Sequence, residues 1–317
     1  MGLAMVAIVL FHTALPRSDM FFGLRRMGNI GVDIFFFLSG IGLWFAWTKH
    51  PSLRRFYGRR LLRIAPAWVL LATAFYLPDY LGAQRMSSSL PDLIGDVTVN
   101  WGFWQRGELT FWYIPATLVL YALAPFYMQV VRKCPPYKWL IVVMIMWCFA
   151  VQYVPFLRRE WGYLEIFWSR IPIFFIGINL GEKVQNKAEL DGRSVWLLAF
   201  VAAVSLAFCI YLEQALHGRF PLFIERMAYI PLTISTLLLL GKALDKAGKA
   251  LLRPLVFIGS VSLETYLIHA HFVLVHLEKA RMGYWPTALL CIVITLPLAW
   301  LVHKAIAMTI NKWQQKH

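Results

Sequence analysis

Apolar segments separated by short polar ones run along most of this chain. About ten such segments are bounded by charged or turn residues, at 1–15, 30–48, 61–82, 111–131, 137–155, 164–181, 194–214, 223–241, 255–277 and 285–308. Most approach the roughly 20 residues that a helix needs to cross the hydrocarbon core. Unpaired backbone groups are costly in lipid, and no alternation of period two suggests a barrel. The pattern predicts an all-α fold, a polytopic transmembrane bundle of about ten helices.

Composition supports an integral membrane protein. The 317 residues are 60% hydrophobic and 15% charged, and the mean hydropathy is +0.61, which is too apolar for a soluble domain. The longest polar stretch, Ala83 to Thr110, is predicted to be a single loop. We therefore expect one transmembrane domain over residues 1–317 in a multi-pass membrane protein.

The distribution of basic residues indicates how the helices are oriented. If the amino terminus is cytoplasmic, the inner segments hold most of the 31 lysines and arginines, beginning with Lys49, Arg54, Arg55, Arg59, Arg60 and Arg63. The positive-inside rule then predicts that both termini are cytoplasmic. The net charge of +15 is spread over helix ends, so we expect contacts with anionic membrane lipids and not with nucleic acid.

The first apolar segment is unusually short. It reaches only about 15 residues before Pro16, and no basic residue precedes it. We expect either a start upstream of Met1 or a trimmed amino terminus. A cleaved signal peptide is disfavoured, because the segment has neither a basic beginning nor a small-x-small cleavage site.

Two ionisable residues lie inside the first two segments. His12 ends MGLAMVAIVLFHT, and Asp33 begins GVDIFFFLSG. In the predicted topology both lie near the outer ends of their helices, where a carboxylate beside an imidazole would orient a general base. Ionisable groups in spans indicate function by default. A buried pair that only joins two helices is the alternative.

A basic row marks the predicted inner end of the third segment. Within RRLLRIAP, Arg60 and Arg63 are three residues apart and so share a helix face. Guanidinium groups in such a row suit phosphate oxygens, which predicts a phosphate-bearing cytoplasmic ligand. The alternative is the ordinary topology signal at a helix end.

Further polar and aromatic residues lie in later segments. Trp112 and Tyr113 are typical of an interfacial aromatic belt, whereas Arg170, just inside an apolar segment, needs a carboxylate or a substrate oxygen as partner. The segment SVSLETYLIHAHF contributes Glu264, Tyr266 and His269. His269 and His276, seven residues apart, would share one face of an α-helix. His269 and His271 would not, so we expect no metal site, and the four cysteines indicate none either.

Four of these segments occur in a characteristic order. The chain with GVDIFFFLSG, RRLLRIAP, SRIPIFFIG and GSVSLETYLIH resembles the acyltransferase 3 family of integral-membrane acyltransferases. The resemblance implies about ten spans and the transfer of acetyl or another short acyl group. The donor would be cytoplasmic acyl-coenzyme A, and the acceptor a hydroxyl of a sugar or polysaccharide of the cell envelope.

The resemblance also implies roles for particular residues. His12 would be the essential histidine and Asp33 its acidic companion, and Arg60 and Arg63 would bind the acyl donor. Tyr266 and His269 would be structural or line the substrate site. One departure is that the arginine usually found eleven residues before the histidine has no counterpart, because that position is Met1.

The sequence leaves competing classes open. Ionisable residues in spans also line the path of a transporter or flippase, although no pair of broken helices in matching halves supports that class here. A purely structural or sensory membrane protein would not need a site for a phosphate-rich ligand at the inner face.

Overall fold

The computed structural model describes residues 1–82, 86–187, 189–245 and 247–316, and every regular element in these ranges is helical. The helices are α1 Gly2–His12, α2 Phe22–Arg26, α3 Ile30–Lys49, α4 Leu53–Leu81, α5 Leu90–Val99, α6 Trp101–Arg106, α7 Tyr113–Lys133, α8 Leu140–Tyr153, α9 Pro155–Trp161, α10 Glu165–Trp168, α11 Ile171–Gln185, α12 Gly192–Leu216, α13 Leu222–Leu244, α14 Lys249–Ser260, α15 Ser262–Ile268, α16 Val275–Leu277 and α17 Tyr284–Lys316. A π-helical segment, His269–Leu274, joins α15 to α16. The predicted all-α class is confirmed.

Each predicted apolar segment falls on helix, but the predicted count of about ten spans is not confirmed. Within the described ranges, seven helices are long and apolar enough to cross a membrane, or up to nine if each of two bent pairs is one span. The bends are 42° before Ile171 and 59° after Ser260. At 11 residues, α1 is shorter than a spanning helix. The structure therefore does not confirm the count of ten, and the orientation of the termini stays a prediction.

The surfaces of the long helices are apolar. On α12, Trp196, Leu197 and Phe200 are 78%, 63% and 67% exposed. A soluble protein rarely exposes a continuous apolar face of this size. Contact with lipid chains accounts for it, because hydrocarbon solvates these side chains as a protein core would.

The chain divides into two compact units that interleave along the sequence. Unit 1 comprises residues 1–15, 58–115 and 253–317, and unit 2 comprises residues 16–57 and 116–252. The predicted single domain over residues 1–317 stays a prediction. Each unit contains one group of the predicted site residues.

In unit 1, helix α1 packs against the segment that follows Arg253. A Cβ atom added to Gly2 would lie 2.3 Å from the carbonyl oxygen of Leu255, and one added to Gly259 would lie 3.2 Å from the Cβ of Met1. Small residues let helix backbones approach this closely. At the other end of α1, the Tyr284 hydroxyl donates to the carbonyl of Leu10 at 3.1 Å. These contacts hold α1 along its length.

The predicted loop over 83–110 is largely helical, which corrects that prediction; residues 83–85 lie outside the described ranges. Ser89 caps α5 by accepting from the amide of Asp92, as its preference for N-caps predicts. Buried Asp96 accepts from the Ser87 hydroxyl and from the Gly102 amide, both at 2.8 Å. Burial raises the pKa of Asp96, whereas hydrogen bonds from Ser88 and Ser89 lower the pKa of Asp92.

In unit 2, helices α3 and α11 touch backbone to backbone. A Cβ atom on Gly177 would lie 2.3 Å from the carbonyl oxygen of Phe37, and one on Gly40 would lie 2.3 Å from that of Phe174. The two glycines thus make reciprocal contacts across one interface. This contact fixes α3, which carries Asp33, against α11.

We expect Gly177→Ala to destabilise the protein, because the new methyl group would overlap the backbone of α3. Overpacking costs about 1–3 kcal/mol, which would lower the thermal unfolding midpoint in detergent. The matched control is Gly42→Ala in α3, where nothing lies within 4 Å of the added Cβ. At position 42, alanine loses less backbone entropy on folding than glycine does, so the unfolding midpoint should stay unchanged or rise. Equal midpoints for the two variants would contradict this interpretation of the contact.

Candidate active site

His12 is the last residue of α1, and its side chain is exposed. Its Nδ1 lies 2.9 Å from the carbonyl oxygen of Ile8, one turn earlier in the helix. The same nitrogen lies 3.2 Å from Nε2 of His269. The two imidazole rings meet nearly edge to face, at 4.9 Å between centroids and 68° between planes. The predicted essential histidine therefore has a second histidine as its partner within unit 1.

His269 is 1% exposed and is held from its other side. Its Nδ1 lies 3.0 Å from the carbonyl oxygen of Thr265 and 2.8 Å from that of Tyr266. The ring is thus fixed between backbone groups of its own helix and the ring of His12. Sequence reasoning named His269 only as a packing or lining residue.

A π-helical segment begins at His269 and ends at Leu274. Such segments are rare and often occur at functional sites. Cys291 of α17 donates its thiol to the carbonyl oxygen of His269 at 3.7 Å. The wider turn changes the register of the residues that follow, and His276 is exposed whereas His269 is buried. The expectation that these two histidines share a face, which assumed a regular α-helix, is wrong.

Aromatic side chains lie beside His269 and His271. The Tyr266 ring lies 6.0 Å from the His269 ring and 5.3 Å from the Tyr113 ring, and the Tyr266 hydroxyl accepts from the Tyr113 amide at 3.4 Å. Trp112 is 8% exposed. His271, which sequence reasoning set aside, packs its ring 4.6 Å from that of Phe111. The structure thus brings Tyr113, Tyr266 and His269 together.

Glu264 is paired within unit 1. Its Oε1 lies 2.8 Å from Nδ1 of His303 on α17, and the glutamate side chain is 4% exposed. A buried carboxylate needs such a partner. The sequence indicated Glu264 but not His303, because residues 39 positions apart reveal their contact only in the fold.

The predicted donor-binding arginines lie on α4. Arg60 is half-buried and Arg63 is exposed. Nη2 of Arg63 donates to the carbonyl oxygen of Ser260 at 3.0 Å. That carbonyl lies at the 59° bend between α14 and α15. Arg63 thus supplies a hydrogen-bond donor to a backbone carbonyl at the end of α14.

Asp33 and Arg170 pair inside unit 2. Both are fully buried, with Oδ2 of Asp33 3.7 Å from Nη2 of Arg170, and the same Nη2 donates to Oδ1 of Asn29 at 3.2 Å. Arg170 thus has the carboxylate partner that its position in an apolar segment required. His12 belongs to unit 1 and Asp33 to unit 2. The pairing of these two residues stays a prediction.

Other ionisable residues of unit 2 also pair with one another. Arg226 pairs with Glu165, and Glu213 pairs with both Arg26 and His217. Arg26 lies 3.0 Å from Glu213. Sequence reasoning assigned no role to these residues.

Among the described residues, no group of three or more His, Cys, Asp or Glu side chains could hold a metal ion.

The long apolar helices, paired buried charges and exposed imidazole together define a multi-pass membrane protein with a candidate catalytic histidine. The family model described as "Acyltransferase domain", that of the acyltransferase 3 family, matches residues 2–304. The chain therefore belongs to the acyltransferase 3 family.

A curated relative adds a more distant similarity. The "Regulator of hypoxia-inducible factor 1" of Caenorhabditis elegans is 26% identical over 140 residues, which cover 39% of this chain and 28% of that protein. The chain thus spans under a third of the length of that relative. No solved structure matches the chain.

We expect Asp33→Asn to destabilise the fold, because it leaves the buried Arg170 without its carboxylate. Removing one partner of a buried ion pair costs about 3–5 kcal/mol, which thermal unfolding in detergent would detect. The control is Glu182→Gln, which breaks an exposed pair with Lys138 and should cost less than about 1 kcal/mol. The double variant Asp33→Asn/Arg170→Gln should recover part of the loss. Similar midpoints for Asp33→Asn and Glu182→Gln would refute this role.

Proposed function

We propose that this protein is a membrane acyltransferase that moves an acetyl or other short acyl group from cytoplasmic acyl-coenzyme A to a hydroxyl of a cell-envelope sugar or polysaccharide. The observation that carries the proposal is the exposed imidazole of His12 at the end of an apolar helix, in a chain of the acyltransferase 3 family. An imidazole that ionises near neutral pH suits proton transfer from an attacking hydroxyl. A bacterial inner or plasma membrane would give access to both substrates.

In the proposed reaction, His12 accepts the proton of the acceptor hydroxyl. The hydroxyl oxygen attacks the thioester carbonyl carbon, and the new C–O bond forms as the C–S bond breaks. The sulfur leaves with the bonding electron pair, and the proton on His12 passes to it to give free coenzyme A. The contact of His12 Nδ1 with the Ile8 carbonyl supports this role, because it fixes the ring on the last turn of α1.

The donor would bind along unit 1. Arg60 and Arg63 suit the phosphates of coenzyme A, and Arg63 is anchored at Ser260. The neighbouring Gly259 packs against Met1, at the opposite end of α1 from His12. Eleven helical residues rise about 16 Å, at 1.5 Å each. This separation suits a donor whose nucleotide end binds at the arginines while an extended arm carries the thioester to the histidine.

The acceptor would meet an aromatic surface. Tyr113 and Tyr266 lie within one cluster with His269, and aromatic faces pack on the apolar faces of sugar rings. Trp112, Glu264 and Arg170 were also expected to line the site. The partners of Glu264 and Arg170, His303 and Asp33, support structural roles for these two. For Asp33, the role of acidic companion to His12 stays a prediction.

We expect His12→Ala to abolish measurable acyl transfer while the protein remains in the membrane, because a general base contributes about 10²–10⁴-fold. Mass analysis of envelope glycans would show the acyl mass in cells with the gene and its loss in cells without it. Wild-type protein should restore the mass, and His12→Ala should not. His276→Ala replaces another exposed histidine and should behave as wild type. Full transfer by His12→Ala would overturn the assignment.

We also expect Arg60→Ala/Arg63→Ala to weaken binding of coenzyme A to the purified protein. Hydrogen bonds to charged groups contribute about 1.5–3 kcal/mol each, so the dissociation constant should rise by at least tenfold in calorimetric titration. Arg54→Ala removes an exposed arginine from the same helix and should bind as wild type. Unchanged binding by the double variant would place the donor elsewhere. Solute transport into vesicles without donor binding would favour a transporter instead.

A further inference from the structure

The two histidines of unit 1 contact each other directly, with His269 Nε2 3.2 Å from His12 Nδ1. One ring is buried and the other is exposed. A neutral imidazole carries its proton on one nitrogen only. The partners of each nitrogen therefore determine which tautomer each ring adopts.

The backbone sets the tautomer of His269. Both partners of its Nδ1 are carbonyl oxygens, those of Thr265 and Tyr266, and carbonyl oxygens only accept hydrogen bonds. Nδ1 must then carry the proton. A cation at this depth would be costly without a carboxylate partner, so the ring is neutral and its Nε2 carries the lone pair.

Together with the Ile8 carbonyl, His269 sets the tautomer of His12. Nδ1 of His12 contacts the Ile8 carbonyl oxygen at 2.9 Å and Nε2 of His269 at 3.2 Å. Both accept, so Nδ1 of His12 carries the proton. The lone pair of His12 then resides on Nε2, the nitrogen that a general base would use.

We propose that His269 is a positioning residue for His12. It accepts from Nδ1–H, holds the His12 ring in the tautomer with a basic Nε2, and stabilises the imidazolium that forms when Nε2 takes a proton. The carboxylate of a serine-protease triad supports its histidine in the same way. This inference rests on the proposed role of His12 and gives His269 the orienting task that the sequence predicted for Asp33.

The local backbone supports this role. The π-helical segment begins at His269, and the Cys291 thiol donates to the His269 carbonyl. The unusual turn and its partner on α17 fix both the backbone and the ring of this residue.

Two substitutions separate the positioning role from a packing role. His269→Gln places an amide oxygen near the position of Nε2, where it can accept from His12. His269→Asn places its amide near the position of Nδ1, where it can donate to the Thr265 or Tyr266 carbonyl but cannot reach His12. The first variant retains the contact with His12, and the second retains the contact within the helix.

We expect His269→Asn to lower kcat by about 10²-fold or more, since a triad that loses its orienting group falls by roughly 10⁴-fold. The KM for acyl-coenzyme A should not change. His269→Gln should retain most of the turnover. The opposite order, or equal loss in both folded variants, would show that His269 only packs and would overturn the proposal.

A direct measurement of the tautomer in the wild-type protein does not depend on activity. Among the eight histidines, His12 can be assigned in ¹⁵N spectra of histidine-labelled protein by the signal lost in His12→Gln. Wild-type protein should show a protonated Nδ1 and an unprotonated, basic Nε2 on His12. A protonated Nε2 would overturn the proposal. If the tautomer is as expected but His12→Ala still transfers acyl groups, the proposed function fails and the hydrogen-bonded pair stands.

Discussion

Ionisable groups inside an apolar bundle must be paired, and this constraint accounts for most of the polar structure described above. Asp33 and Arg170 are both fully buried, and neither could be removed alone without leaving a charge in a medium that cannot solvate it. Glu264 meets His303 for the same reason. Each pair joins residues distant in sequence, so the requirement for charge compensation specifies which helices must pack together.

The histidine pair satisfies the same constraint without a net charge. The proton on Nδ1 of His12 lies between that nitrogen and the unprotonated Nε2 of His269. The Thr265 carbonyl accepts from Nδ1 of His269. Such an arrangement lets a titratable base lie at the end of an apolar helix. The carboxylate of Asp33 pairs with Arg170 within unit 2. There it stabilises the packing of α3.

The positions of the helices could be predicted from sequence because hydrophobic length is a local property. Every predicted apolar segment is helical, but the bends after Trp168 and Ser260 depend on packing and were not predicted. The two helices in the predicted loop have only 10 and 6 residues and so carry little periodic signal, although Ser89 before Asp92 is a capping signal. Orientation remains a prediction from charge alone.

The candidate site was only partly predictable. A histidine in an apolar segment is visible in the sequence, as is an arginine that needs a partner. The sequence does not reveal His269 as the partner of His12, because the two residues are 257 positions apart and meet only through tertiary contacts. Regular helical periodicity also misplaced His276, since no local rule indicates that the turn widens at His269. The π-helical signal was absent from the sequence pattern.

Because the turn between His269 and Leu274 is widened, the number of residues in this segment matters to the structure as much as their identity. Each residue of an α-helix advances about 100° around the axis. Deleting a single residue here would restore ordinary winding and rotate the polypeptide beyond it by that angle, so that side chains now facing the bundle would turn toward lipid. Substitutions in this stretch change one side chain at a time, whereas a one-residue deletion would reassign the environment of the whole following turn.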